Sequence, residues 1–223
     1  MLTSQTLHTG EIRTVLPGVR WETYQALVGD PATNAGKRLT YDQGILEIMT
    51  PLPEHEANKR LLGRMVEAAT EVLGLEIYSL GSATWSREDL LRAIEPDECY
   101  YITHEAIARG KLSFDLRVDP APDLAIEIDL TSSSLNRLSI YAALGVPELW
   151  RFDGQELWIY LLRNGVYEQE ERSQVLPVLS KSDLLGFLKQ RGELGENTLL
   201  RQFRARLLTL NQPTSGRVTD HDS

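Results

Sequence analysis

Residues Ala121 to Asp153 read APDLAIEIDLTSSSLNRLSIYAALGVPELWRFD, and this stretch decides the fold. Strand side chains alternate between faces. Leu124, Ile126, Ile128 and Leu130 therefore share one face, and Asp123, Ala125, Glu127 and Asp129 the other. A helix follows on the pattern Leu138, Tyr141, Ala142 and closes at Gly145, a residue suited to the left-handed turn past a helix end. Pro147 to Phe152 returns as a strand. The unit is βαβ-like, and such strands belong inside a covered sheet. Carboxylates crowded on a covered face repel one another and resist ionisation unless a cation neutralises them. Two readings stand: a divalent metal site, or a half-exposed strand whose acids are solvated.

The flanking sequence supplies the rest of one domain. Residues 1–16 read as a loose arm, and Trp21, Tyr24, Leu27 and Val28 mark a short amphipathic helix. Arg38 to Tyr41 and Ile45 to Met49 form a predicted hairpin around Asp42-Gln43-Gly44. Pro51 and Pro53 stop the second strand and open a helix over Glu54 to Leu73, with Ala57, Leu61, Met65, Ala69 and Val72 on one stripe. Glu76 to Leu80, Ala83 to Ser86 and Cys99 to Ile102 read as extended pieces. His104 to Gly110 reads as a short helix, and Leu112, Phe114 and Leu116 suggest a strand within Lys111 to Pro122. Asp153-Gly154 and Asn164-Gly165 signal hairpins joining Glu156 to Leu162 and Val166 to Glu171. Ser182-Asp183 caps a predicted helix LLGFLKQR, and Glu196 to Leu210 forms a last amphipathic helix. The division expected is an arm (1–16), a main domain (17–180), a helical extension (181–210) and a disordered tail (211–223).

Composition narrows the class. The 223 residues carry 23 basic and 32 acidic side chains, a formal charge of −9, which argues against a nucleic-acid coat protein but leaves room for a local basic patch. Cys99 is the single cysteine, so no internal disulfide forms; with no apolar run after Met1, no signal peptide is expected and a cytoplasmic location is. Two Pro-Asp pairs precede apolar strands, at Asp97 and at Asp123. Asp97 and Glu127 are thirty residues apart, room for two neighbouring strands. Two acids meeting there would suit Mg²⁺ (or Mn²⁺), which takes carboxylate oxygen and keeps several waters. An acid following proline is also common in plain turns.

The segments YDQGILEIMTPLPEHE, SLGSATWSREDLL, EPDECYYI, PDLAIEID and SLNRLSIYAALGVPELWRFD resemble, in order and spacing, the Uma-type restriction endonuclease family, abundant in cyanobacteria, which carries the PD-(D/E)xK nuclease fold. The resemblance implies an α/β (α+β) restriction-endonuclease-like core, a mixed central sheet flanked by helices, with an N-terminal hairpin extension and a C-terminal helical extension. It implies that Asp97 and Glu127 hold the metal and that Glu54, Asp97, Glu127 and Arg137 are catalytic, with His55, Asp123 and Asp129 as further members of the site. The lysine of the ExK pattern is replaced by Asp129, and the family's shifted cation falls on Arg137. Arginine stays charged, so Arg137 is suited to binding a phosphate rather than to removing a proton.

The function expected is Mg²⁺-dependent hydrolysis of phosphodiester bonds in DNA, by a homodimer whose two copies suit the two strands of a duplex. The alternative is a degenerate nuclease-fold domain that binds nucleic acid or a protein partner and cuts nothing; a hydrolase of small phosphates is a third reading. In geometry, Glu127 should meet Asp97 across neighbouring strands and Asp123 should sit at the rim. Arg137 and Glu54 should point into one cleft, away from the Leu124, Ile126 and Ile128 face.

Overall fold

The computed structural model describes residues 11–31, 36–131, 133 and 135–212. The elements in chain order are β1 (Glu11–Pro17), α1 (Trp21–Gly29), β2 (Arg38–Asp42), β3 (Ile45–Pro51), α2 (Pro53–Leu73), β4 (Tyr78–Ser79), β5 (Trp85–Arg87), β6 (Arg92–Ile94) and β7 (Glu98–Tyr101). There follow α3 (Glu105–Ala108), β8 (Leu124–Ile128), α4 (Arg137–Leu144), β9 (Glu148–Phe152), β10 (Leu157–Arg163), β11 (Val166–Glu170), α5 (Lys181–Leu188) and α6 (Glu196–Leu210).

Two sheets result. The larger has strand order β11-β10-β9-β8-β7-β4, and its one parallel pair is β8 with β9, joined by α4 as the βαβ reading requires. Gly145 takes φ 78° past α4, the left-handed turn that ends the helix. One face of this sheet, with Leu124, Ile126, Ile128 and Trp150, packs on Leu61, Met65 and Val66 of α2 and on Leu199 and Phe203 of α6. The other face, with Cys99, Ala125 and Leu149, packs on Ile140, Tyr141 and Leu144 of α4. Every residue of β8 is buried, so the half-exposed strand with solvated acids is not what forms.

The second sheet, β1-β3-β2-β6-β5, is antiparallel throughout. Leu39, Tyr41 and Leu46 on one face pack against Trp21 and Tyr24 of α1. The predicted hairpin is thus the middle of a five-stranded sheet rather than an extension. Residues 11–16 of the expected loose arm belong to an edge strand, β1, paired with β3 over its whole length. Its charged residues Glu11 and Arg13 face the larger sheet, which hid the strand from a hydrophobic reading.

Lys111 to Pro122 forms no strand. Phe114 stacks on Tyr101 at 5.2 Å, Leu112 is fully exposed, and Asp115 accepts from Arg117 while its own N–H donates to Asp119 Oδ2. Turn chemistry prevailed there over alternation. Glu76 to Leu80 shortens to the two residues of β4. The cap of α5 is Ser180, not Ser182: its hydroxyl accepts from Asp183 N–H at 3.1 Å and the Asp183 carboxylate accepts in return from Ser180 N–H. Residues 1–10 of the arm and 213–223 of the tail lie outside the described residues. No helix among the described residues is long and apolar enough to cross a membrane.

Candidate active site

The two sheets meet at the C-terminal ends of β8 and β9, and the polar groups of both converge there. Asp97 stands one residue before β7. Its N–H donates to Ile126 O at 3.0 Å, and its Oδ2 accepts from Ile128 N–H at 2.7 Å. The carboxylate thus fills a backbone acceptor's place at the end of the ladder. Glu127 projects from β8 on the α4 side, where Tyr141 donates to its Oε1 and Arg137 Nε lies 3.5 Å from the same oxygen. Asp97 and Glu127 are both buried, and both lie in the field of Arg137.

Burial pushes the Glu127 carboxyl up to about 7; the Arg137 charge opposes this, and the Asp97 charge adds to it. Asp97 goes the other way. Burial alone would raise it, but His55, the Ile128 N–H and Arg137 together hold it below the usual carboxylate range. His55 Nε2 is 3.1 Å from Asp97 Oδ2 and 3.7 Å from Glu11 Oε1. The Asp97 contact falls short of good hydrogen-bond alignment and is an ion pair when the imidazole is protonated. Burial disfavours the charged imidazole, yet Asp97, Glu11 and Glu56 outweigh that and raise its pKa.

The N-terminal sheet closes the site. Arg13 donates from Nη1 to Glu47 Oε1 at 2.6 Å and from Nη2 to Glu11 Oε2 at 2.7 Å and Asp129 Oδ1 at 3.0 Å. Glu11 Oε1 accepts from Leu130 N–H at 3.1 Å. Arg137 donates from Nη2 to Thr40 Oγ1 at 3.0 Å, while its Nη1 lies 3.7 Å from Glu47 Oε1. A cavity of about 190 Å³ opens onto this cluster, lined by Glu127, Asp129, Arg137, Leu149 and Arg151 among others.

The sequence-predicted residues divide cleanly. Asp97, Glu127, Arg137, His55 and Asp129 come together. Glu54 does not: half its side chain is in solvent, where it lies 3.7 Å from Arg191 Nη2. Successive helix residues are about 100° apart, so only one of Glu54 and His55 can face the sheet. The stripe of His55, Asn58, Leu62 and Val66 is the buried one. Asp123 lies at the far end of β8, where it accepts from Ile102 N–H at 2.7 Å and His104 N–H at 2.9 Å and ties down the turn after β7. Glu11, Arg13, Glu47, Tyr141 and Arg151 were missed as members of the cluster. A signal existed for Glu47: it is a single charge in an otherwise apolar strand, ILEIM, as Glu127 is in LAIEI.

Asp97 Oδ1 and Glu127 Oε2 are buried and accept no hydrogen bond. Buried carboxylate oxygens without donors are costly unless a cation meets them. Among the described residues no three His, Cys, Asp or Glu side chains converge as a metal-binding group. A hard cation that keeps most of its waters needs only one or two carboxylates, so this pair fits a partly hydrated divalent ion.

A crystal structure of a putative nuclease belonging to DUF820 from Anabaena variabilis ATCC 29413 has a similar fold, with a TM-score of 0.51 at 16% identity over 76% of this chain and 99% of that one. No curated protein matches the chain. The model of the Uma2 family, described as "Putative restriction endonuclease", matches residues 21–189, which takes in the larger sheet, the second sheet apart from β1, and every residue of the cluster from β2 to β9. This chain belongs to the Uma2 family.

Proposed function

We propose that the protein is a Mg²⁺- or Mn²⁺-dependent endonuclease that hydrolyses phosphodiester bonds in DNA. The observation that carries this is the pair of donorless buried oxygens, Asp97 Oδ1 and Glu127 Oε2, the second on a residue that lines a cavity with Arg137 and Arg151 on its wall. A divalent ion held there would activate water and neutralise charge on the attacked phosphate. The chain's own residues supply the rest. His55 holds Asp97 ionised. Tyr141 fixes the Glu127 carboxylate through one oxygen and leaves the other open. Arg137 keeps Nε and Nη1 without hydrogen bonds in a buried place, so it has donors to spend on a phosphate oxygen as charge develops. A homodimer would present two such centres to the two strands of a duplex.

The test is nicking of supercoiled plasmid in Mg²⁺ or Mn²⁺. Wild type should nick, and Glu127→Ala and Asp97→Ala should not, while all three remain folded by circular dichroism. Equal nicking by the three would end this reading. Arg137→Lys should keep part of the rate and Arg137→Ala lose about a hundredfold or more, as expected for a donor aimed at transition-state charge. Cutting by Arg137→Ala at the wild-type rate would make that arginine structural only.

The alternative is a degenerate nuclease-fold domain that binds nucleic acid or a protein partner without cutting. It is favoured by one observation: Asp129, at the lysine position, is already ion-paired with Arg13 and Arg151. Binding of DNA with no Glu127-dependent nicking would select it.

A further inference from the structure

Asp129 does more than replace a cation. It stands two residues beyond Glu127, accepts from Arg13 through Oδ1, and accepts from Arg151 Nε and Nη2 through Oδ2 at 3.0 and 2.5 Å. The two arginines differ in what they have left. Arg13 spends its guanidinium on three carboxylates, and its side chain is 9 % exposed. Among the described residues Arg151 has Asp129 as its one ion-pair partner; it is 34 % exposed and lines the cavity that opens on Glu127.

The sheet explains its aim. Glu127 pairs with Arg151 in the parallel register of β8 and β9, and Arg151 pairs with Trp158 in the antiparallel register of β9 and β10. Residues paired across strands share a face. Glu127, Arg151 and Trp158 therefore form one row across the sheet, with Asp97 at its end. The Arg151 Cζ lies 5.6 Å from the Trp158 ring centre, so the guanidinium is held by a carboxylate on one side and an aromatic face on another. A held guanidinium loses little freedom when it binds, which favours a planar two-oxygen grip on phosphate.

We propose that Arg151 is the clamp for a backbone phosphate of the polynucleotide adjoining the one that is cut, and that Asp129 is its positioning residue. This rests on the reading of a nucleic-acid substrate given above. The charge that one lysine would carry is thereby divided: Arg137 serves the reacting phosphate, and Arg151 a neighbour at the cavity mouth, one strand spacing (about 4.8 Å) along the row from Glu127.

The test measures the affinity of the full chain for a fluorescently labelled 30-base-pair duplex, in EDTA so that no cutting occurs, across a range of salt. Arg151→Gln should weaken binding about tenfold and lower the slope of log K against log salt by about one, the loss of one phosphate contact. Arg151→Lys should restore the slope and part of the affinity, because it keeps the charge without the fork. Asp129→Asn is decisive for the positioning role. As a bare charge change it adds net positive charge to the mouth and would tighten binding to a polyanion. As loss of the group that aims Arg151 it should weaken binding several-fold. Wild-type affinity and slope in Arg151→Gln would overturn the clamp, and tighter binding by Asp129→Asn would overturn its positioning. Nicking in Mg²⁺ separates the two readings. Glu127-dependent nicking with an unaltered Arg151→Gln slope removes the clamp alone. A wild type that binds with an Arg151-dependent slope but never nicks keeps the clamp and removes the nuclease.

Discussion

Glu127→Gln is expected to stabilise the metal-free protein at pH 8 while abolishing cleavage. The folded protein holds the Glu127 carboxyl near 7, against an ordinary value of 4.5. A raised carboxyl means the folded state binds the proton more tightly than the unfolded state does. Its contribution is fully present below about pH 4.5 and is lost as pH rises toward 7; above that, the cost of ionising a buried acid stands in full. The difference corresponds to about 3 kcal/mol, a figure that already includes the attraction of Arg137. Glutamine keeps the acceptor for Tyr141 and carries no charge. In EDTA the variant should therefore melt several degrees above wild type at pH 8, and the gap should close toward pH 4.5. His55, whose pKa is raised by Asp97, Glu11 and Glu56, is common to both proteins. Mg²⁺ should stabilise wild type and leave the variant largely unmoved. Equal melting temperatures at pH 8 in EDTA would show that Glu127 is not under this strain. Cleavage should fall at least about a thousandfold, the scale of losing a principal charge partner of the transition state.

Arg13→Ala is expected to be the most destabilising single change. It leaves Glu11, Glu47 and Asp129 facing one another in the seam between the sheets, without the guanidinium that binds all three. Breaking a buried ion pair by removing one partner costs about 3–5 kcal/mol. Urea denaturation should show a loss of that size, and Arg13→Lys should recover only part of it, because one ammonium cannot span three carboxylates. A loss under about 1 kcal/mol would mean that solvent reaches the seam and screens it. The pair of experiments separates two kinds of acid: removing a negative charge at Glu127 relieves the fold, and removing the positive charge at Arg13 strains it.

The core of the larger sheet was legible because its code is hydrophobic. Leu124, Ile126 and Ile128 alternate, Gly145 stops the helix, and two Gly-containing turns punctuate β9 to β11. The N-terminal sheet was half legible. Its α1 side is apolar and revealed the hairpin; its other side carries Glu11, Arg13, Thr40 and Glu47, so β1 reads as loose chain. Charge is taken as a mark of exposure, and in that seam it is buried by mutual neutralisation. The same limit applied at the site. Asp97 and Glu127 were singled out by proline and alternation, and Arg137 by the family resemblance. Arg13 reaches the site through contacts 34 residues away at Glu47 and 116 away at Asp129, which no local pattern announces. The exchange of Glu54 for His55 was a matter of helical phase, set by how the Pro51-Leu52-Pro53 link leaves β3.

The first strand of the fold also bears on how the protein comes into being. Glu11 and Arg13 are made before their partners Glu47, Asp129 and the N–H of Leu130. β1 must wait for the 116 residues from Arg13 to Asp129 before the seam can close on it. Arg151, which shares Asp129 with Arg13, arrives later still. A nascent chain cannot assemble this charged cluster piecemeal, so it stays unbuilt until β9 has been made.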